Sequence, residues 1–95
     1  MIKQFMLGAT KWDVEEVECF EDSTKMGDSL LGQTRIRVSN TWEGEKTSKQ
    51  SKEATLYHEV VHSILDTLGY EEISRDEILV QGLATLMQQF EQTKN

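Results

Sequence analysis

Leu56-Tyr57-His58-Glu59-Val60-Val61-His62-Ser63-Ile64-Leu65 is the stretch on which this chain of 95 residues turns. It holds both histidines of the protein, four positions apart, with a glutamate directly after the first. On an α-helix, positions i and i+4 share a face with Cβ atoms about 5–6 Å apart, so both imidazoles can reach one metal ion. Glu59 then stands beside that ion, where a carboxylate can take a proton from an activated water. The flanks agree with a helix. Tyr57, Val60, Val61, Ile64, Leu65 and Leu68 form an apolar stripe. Thr47 or Ser48 offers an N-cap, Gln50 can complete a capping box with Thr47, and Gly69 suits the position just past the last turn. The spacing predicts a helix over residues 48–68 with the histidines in its middle.

Upstream, the pattern changes to that of strands. Residues 2–7 are a short apolar run ending at Gly8, and residues 12–20 mix β-branched and aromatic side chains with acids. Residues 21–27 read as a polar turn. The clearest strand is 33–40, with Thr34, Ile36 and Val38 facing one way and Arg35 and Arg37 the other, as a solvated face. If that strand lies at a sheet edge, it is available to an extended peptide. An antiparallel meander of about three strands is the economical expectation. Trp12 and Trp42 read as packing residues.

Downstream, Ser74 opens a second helix over 74–92, with Ser74 and Glu77 in capping-box spacing. Ile78, Leu79, Gly82, Leu83, Leu86, Met87 and Phe90 are its expected buried face, and Gly82 would let it approach the first helix closely. The fold class is therefore α+β: a single domain over 1–95, with strands and loops in 1–46, the histidine helix in 47–69 and a packed second helix in 74–92.

Composition narrows the function. A net charge of −7 leaves no basic stretch to neutralise phosphates, so neither nucleic acid nor an anionic membrane is an expected partner. No segment is long enough to span a bilayer, and residues 1–8 are too short an apolar run for a secretory signal. Cys19 is the single cysteine, so no intramolecular disulfide can form, and a cytoplasmic location is expected.

Two histidines do not complete a catalytic zinc site, which takes three protein ligands and an open position. No third histidine exists. Asp66 lies a further turn along the same helix, beyond reach of the ion that His58 and His62 would share. Cys19 is remote, among acids, and reads as structural. Glu77, near the start of the next helix, can return to the histidines if the chain reverses past Gly69. Asp76 and Glu72 compete with it. Tyr57 and Tyr70 are conceivable oxyanion donors, although core or capping roles suit them better.

His58-Glu59-Val60-Val61-His62, followed by Asp76-Glu77-Ile78-Leu79-Val80-Gln81, resembles the gluzincins, zincin-fold zinc peptidases whose third ligand is a glutamate on a second helix. Thr55-Leu56-Tyr57-His58-Glu59-Val60-Val61-His62, after a short sheet, is similar to small phage and bacterial proteins of the minigluzincin type, and more loosely to the ImmA/IrrE-type peptidases. Leu65 stands where the metzincin motif needs glycine. The resemblance implies Zn²⁺ held by His58, His62 and Glu77, Glu59 as catalytic base, and a peptide or protein as substrate. It places Gln81 where the family carries a carboxylate supporting a metal-bound histidine; here the group is an amide. The leading expectation is a zinc-dependent metallopeptidase-like hydrolase, and the alternative is a zinc-binding regulatory or interaction module without turnover.

Overall fold

In the computed structural model, which describes residues 1–95, the first half of the chain folds as strands β1 (Gln4–Leu7), β2 (Thr10–Val17) and β3 (Gly27–Leu30), a single 3₁₀ turn (Leu31–Gln33), and β4 (Arg35–Ser39). A minimal hairpin, β5 (Thr41–Trp42) and β6 (Glu45–Lys46), leads into helices α1 (Lys49–Thr67), α2 (Glu71–Ser74) and α3 (Glu77–Thr93). No helix is long and apolar enough to cross a membrane.

The class is α+β, but the sheet is not a three-stranded antiparallel meander. It has four strands in the order β1-β2-β4-β3, with β2 and β4 parallel and the outer pairs antiparallel. Residues 18–34 are the crossover that a parallel pair requires. They carry β3 along the outer edge before Thr34, at φ 46°, turns the chain into β4. The expected polar turn thus runs directly into an edge strand, and the expected strand at 33–40 lies inside the sheet.

Alternation in β4 works as the sequence implies. Ile36 and Val38 are buried against Trp12 of β2 and Leu56 of α1. A second cluster joins Val61 of α1 to Val80 and Ala84 of α3. Helix α1 is therefore a middle layer, with the sheet on one side and α3 on the other. Trp42 departs from its expected packing role and stays 45% exposed on the short hairpin.

Both ends of α1 are fixed by local chemistry. The Ser48 hydroxyl accepts the Ser51 N–H at 3.0 Å. The Thr47 hydroxyl donates to the Asn40 carbonyl instead, so no capping box forms with Gln50. At the other end the Tyr70 and Gly69 N–H groups return to the Leu65 and Asp66 carbonyls, with Gly69 at φ 85°. That reversal uses the left-handed conformation glycine adopts without strain.

The second helix begins later than its pattern suggests. Ser74 ends the single turn of α2, and Asp76 caps α3 by accepting the Leu79 N–H at 3.1 Å. Glu77 is thereby released from the capping box. The helix is also rotated relative to expectation: Val80 and Ala84 are buried, whereas Ile78, Leu86 and Phe90 are 88%, 64% and 65% exposed. Gly82 faces outward, with open space where a side chain would stand, and does not serve approach to α1.

Three consecutive residues hold β3 against its neighbours. A Cβ added at Gly27 would lie 2.7 Å from Thr55 Cγ2 and 2.9 Å from the Arg37 carbonyl oxygen, so the edge strand and α1 meet only over glycine. Asp28 takes hydrogen bonds from Arg37 Nε and Nη2 and an ion pair from Lys25, which corrects the expectation that Arg37 is merely solvated. Arg35 is the freer of the two, in a loose ion pair with Glu15. Ser63 Oγ donates to the Glu59 carbonyl, so Ser29 Oγ is the donor in its 2.7 Å bond to Ser63.

Gly27→Ala should destabilise the fold by about 1–3 kcal/mol in urea unfolding, through overpacking. Burial raises the Asp28 carboxyl, but Arg37 and Lys25 outweigh it and hold it below the ordinary aspartate range. Its charged form therefore stabilises the fold above the unfolded pKa, and this is lost as pH falls through the folded value. Asp28→Asn should cost about 1–3 kcal/mol at neutral pH, with the gap from wild type closing in acid below the ordinary aspartate pKa.

Candidate metal centre

One turn of α1 and the first turn of α3 supply the cluster. His58 and His62 project from the same face of α1, and Glu77, the first residue of α3, meets them both. His58 Nε2 lies 3.0 Å from Glu77 Oε2, His62 Nε2 lies 3.2 Å from Glu77 Oε1, and the two Nε2 atoms are 3.2 Å apart. Tetrahedral bonds of about 2.0–2.1 Å place neighbouring ligand atoms about 3.3 Å apart. With one oxygen of Glu77 facing each ring, the three side chains are close enough that together they could hold a metal ion.

The hydrogen bonds behind the rings decide which nitrogens face inward. Thr85 Oγ1 donates to the Gln81 carbonyl at 2.8 Å, so toward the Gln81 side chain it can only accept, and Gln81 Nε2 donates to it at 3.2 Å. This orients the Gln81 amide with Oε1 toward His58 Nδ1, at 2.8 Å. An amide oxygen only accepts, so Nδ1 must carry the proton. With Nδ1 so engaged, Nε2 is the atom that His58 turns toward the Glu77 carboxylate. Such a set fits a cation. His62 Nδ1 is likewise engaged, 3.0 Å from Ser74 Oγ, a hydroxyl that can donate or accept, so its Nε2 also faces inward.

The sequence-derived residues are therefore distributed clearly. His58, His62, Glu77 and Gln81 come together. Asp76 is committed to the α3 cap, Glu72 and Cys19 lie outside the cluster, and Asp66 borders it without joining the donor set. The spacing of Ser74 to Glu77 reads as a capping box, which conceals its place behind the His62 ring. Twelve residues after His62, it reaches the ring because α2 turns the chain back there, and no local pattern signals that.

Glu59, on the next face of α1, is 8% exposed and lies at the base of the groove between β3 and α3. Burial pushes its carboxyl up to about 7, with Asp28 and Glu77 adding in the same direction and His58 and Lys25 opposing. A carboxyl poised there can accept and return a proton near neutrality. A cavity of about 490 Å³ extends from His58 and Glu59 along the first half of α1 past Gly27 and Gln81, and another of about 380 Å³ follows Gly27, Asp28 and Ser29 toward His62 and Glu77. The donors thus sit along an open groove walled by the edge strand. Neither tyrosine lines either cavity: Tyr57 packs beside Val61 and Val80, and Tyr70 precedes α2, half exposed.

No family profile, no curated protein and no solved structure matches this chain. Metal binding by the cluster predicts a graded response to changes behind the rings. Ser74→Ala and Gln81→Leu should each weaken divalent-metal affinity about 10–100-fold in competition with a chelator. Both should leave the fold intact by circular dichroism.

Proposed function

We propose that this chain is a small zinc-dependent peptidase of gluzincin character, with a zincin-like arrangement of edge strand, active-site helix and glutamate helix. The observation that carries this reading is the convergence of His58 Nε2, His62 Nε2 and the Glu77 carboxylate within 4.8 Å of one another, with buried Glu59 beside them. The donor set of two imidazoles and a carboxylate suits zinc and matches the ligand class of hydrolytic zinc sites. Bound zinc would supply Lewis acidity, acidifying a water and polarising a carbonyl.

The chain's own residues would do the rest. Gln81 and Ser74 keep the two rings turned with Nε2 inward. Glu59 takes the proton of the attacking water and delivers it to the leaving amine. The outer edge of β3 is free of any strand partner and borders the groove, so an extended peptide can add to the sheet there, a role that interior β4 cannot take. The lack of a tyrosine or a further histidine along the groove favours a second reading, a zinc-retaining module without turnover.

Zinc content and peptide hydrolysis, measured together, separate the readings. Wild type and Glu59→Gln should bind zinc equally, while Glu59→Gln should lower the rate of peptide hydrolysis about 10²–10⁴-fold. His58→Ala and Glu77→Ala should lose zinc altogether. Stoichiometric zinc with no cleavage of a broad peptide library by wild type would select the non-catalytic module, and absence of zinc would overturn both.

A further inference from the structure

Helix α3 is held to the rest of the fold on one side only. Apart from bonds with its own end residues, Asp76 and Lys94, every hydrogen bond and ion pair it makes runs from Glu77 or Gln81 to His58 and His62. Its buried apolar contact is made with α1 alone. Val80 and Ala84 close on Val61, and no residue of α3 belongs to the core around Trp12 in the sheet. Gln88, one turn past Ala84, buries its side-chain nitrogen without a hydrogen-bond acceptor, which works against docking. The Glu77 side chain is 64% exposed, and an ion pair that open adds little.

We infer that α3 is a latch closed by metal: zinc taken up by His58, His62 and Glu77 docks the helix on α1, and loss of zinc releases it. The donors are divided between the two helices, so the complete set exists only when α3 is docked. An ion that binds the docked arrangement alone multiplies the docking equilibrium by 1 + [M]/Kd, about 100-fold at a free concentration one hundred times Kd.

The rest of the fold does not need α3. The sheet and α1 share the core of Trp12, Ile36, Val38 and Leu56, and both ends of α1 are fixed before α3 begins. Released, a helix of 17 residues with Gly82 inside it is marginal in water. Gln81 lines one of the two cavities beside Glu59 and Glu77 lines the other, so release takes a wall from both. Zinc supply then decides whether the groove exists at all. The inference rests on the metal-binding part of the function proposed above and not on turnover.

The test is hydrogen exchange of the full chain, read by mass spectrometry with zinc at about one hundred times Kd and after removal of zinc by a chelator. Without zinc, amides of residues 81–93 should exchange on the order of 100-fold faster, while those of β4 and of α1 around Leu56 change far less. Glu77→Gln should leave residues 81–93 exchanging fast at the zinc concentration that protects wild type. Val80→Ala touches no donor, yet it should weaken apparent zinc affinity on the order of 10-fold, because fewer molecules are docked and competent to bind. A helix that is always docked would not show that loss. Stoichiometric zinc with residues 81–93 equally protected in both conditions overturns this inference alone. So does a uniform loss of protection across the sheet, α1 and α3, which would make zinc an ordinary stabiliser of the whole fold. Absence of bound zinc overturns it together with the proposed function.

Discussion

The meeting of Glu77 with His58 and His62 sets the rotation of α3 about its own axis, and much of the remaining architecture follows from that rotation. With Glu77 and Gln81 turned toward the imidazoles, helical geometry of about 100° per residue directs Val80 and Ala84 onto Val61. The same geometry turns Ile78, Leu86 and Phe90 to the outside. Turning α3 by about half a turn would bury the larger side chains instead, and would carry both polar groups away from the histidines. The polar cluster outranks the apolar face, because imidazole nitrogens facing a carboxylate need a partner that water-exposed leucines do not.

Helix α1 is divided among three tasks around its circumference. Leu56 faces Trp12, Ile36 and Val38 in the sheet, Val61 faces α3, and the arc between holds His58, His62 and Glu59. Only eleven residues of the chain are buried, and four of these are polar. A core this small leaves the position of the edge strand to specific contacts: glycine at the crossing with Thr55, the Asp28 pairing with Arg37, and the Ser29–Ser63 bond. Each of these also shapes a wall of the groove that contains Glu59. Stability and site geometry depend on the same few residues.

Local features were legible in the sequence and non-local ones were not. The i, i+4 histidines, the Ser48 cap and the Gly69 reversal are decided within a few residues, and the structure realises them in place. Glu77 was reachable because Gly69 forces the chain to turn back. The parallel pairing of β2 with β4 depends on a crossover, and β3, Gly-Asp-Ser-Leu, has too weak an alternation to announce itself as a strand. The buried face of α3 differs from the expected one for a physical reason: periodicity locates an apolar stripe but not which side of the helix the rest of the fold meets. Ser74 illustrates the same limit, since a hydroxyl three residues before a glutamate signals a cap unless the backbone turns first.

The rotation of α3 also decides what the helix exposes. The ridge of Ile78, Gly82, Leu86 and Phe90 is exposed as a consequence of aiming Glu77 and Gln81 inward, so a sequence that kept the cluster could remove the exposure only by making these positions polar. Positions 78, 86 and 90 are instead apolar, so the hydration cost of exposing them is set by aiming Glu77 and Gln81 inward.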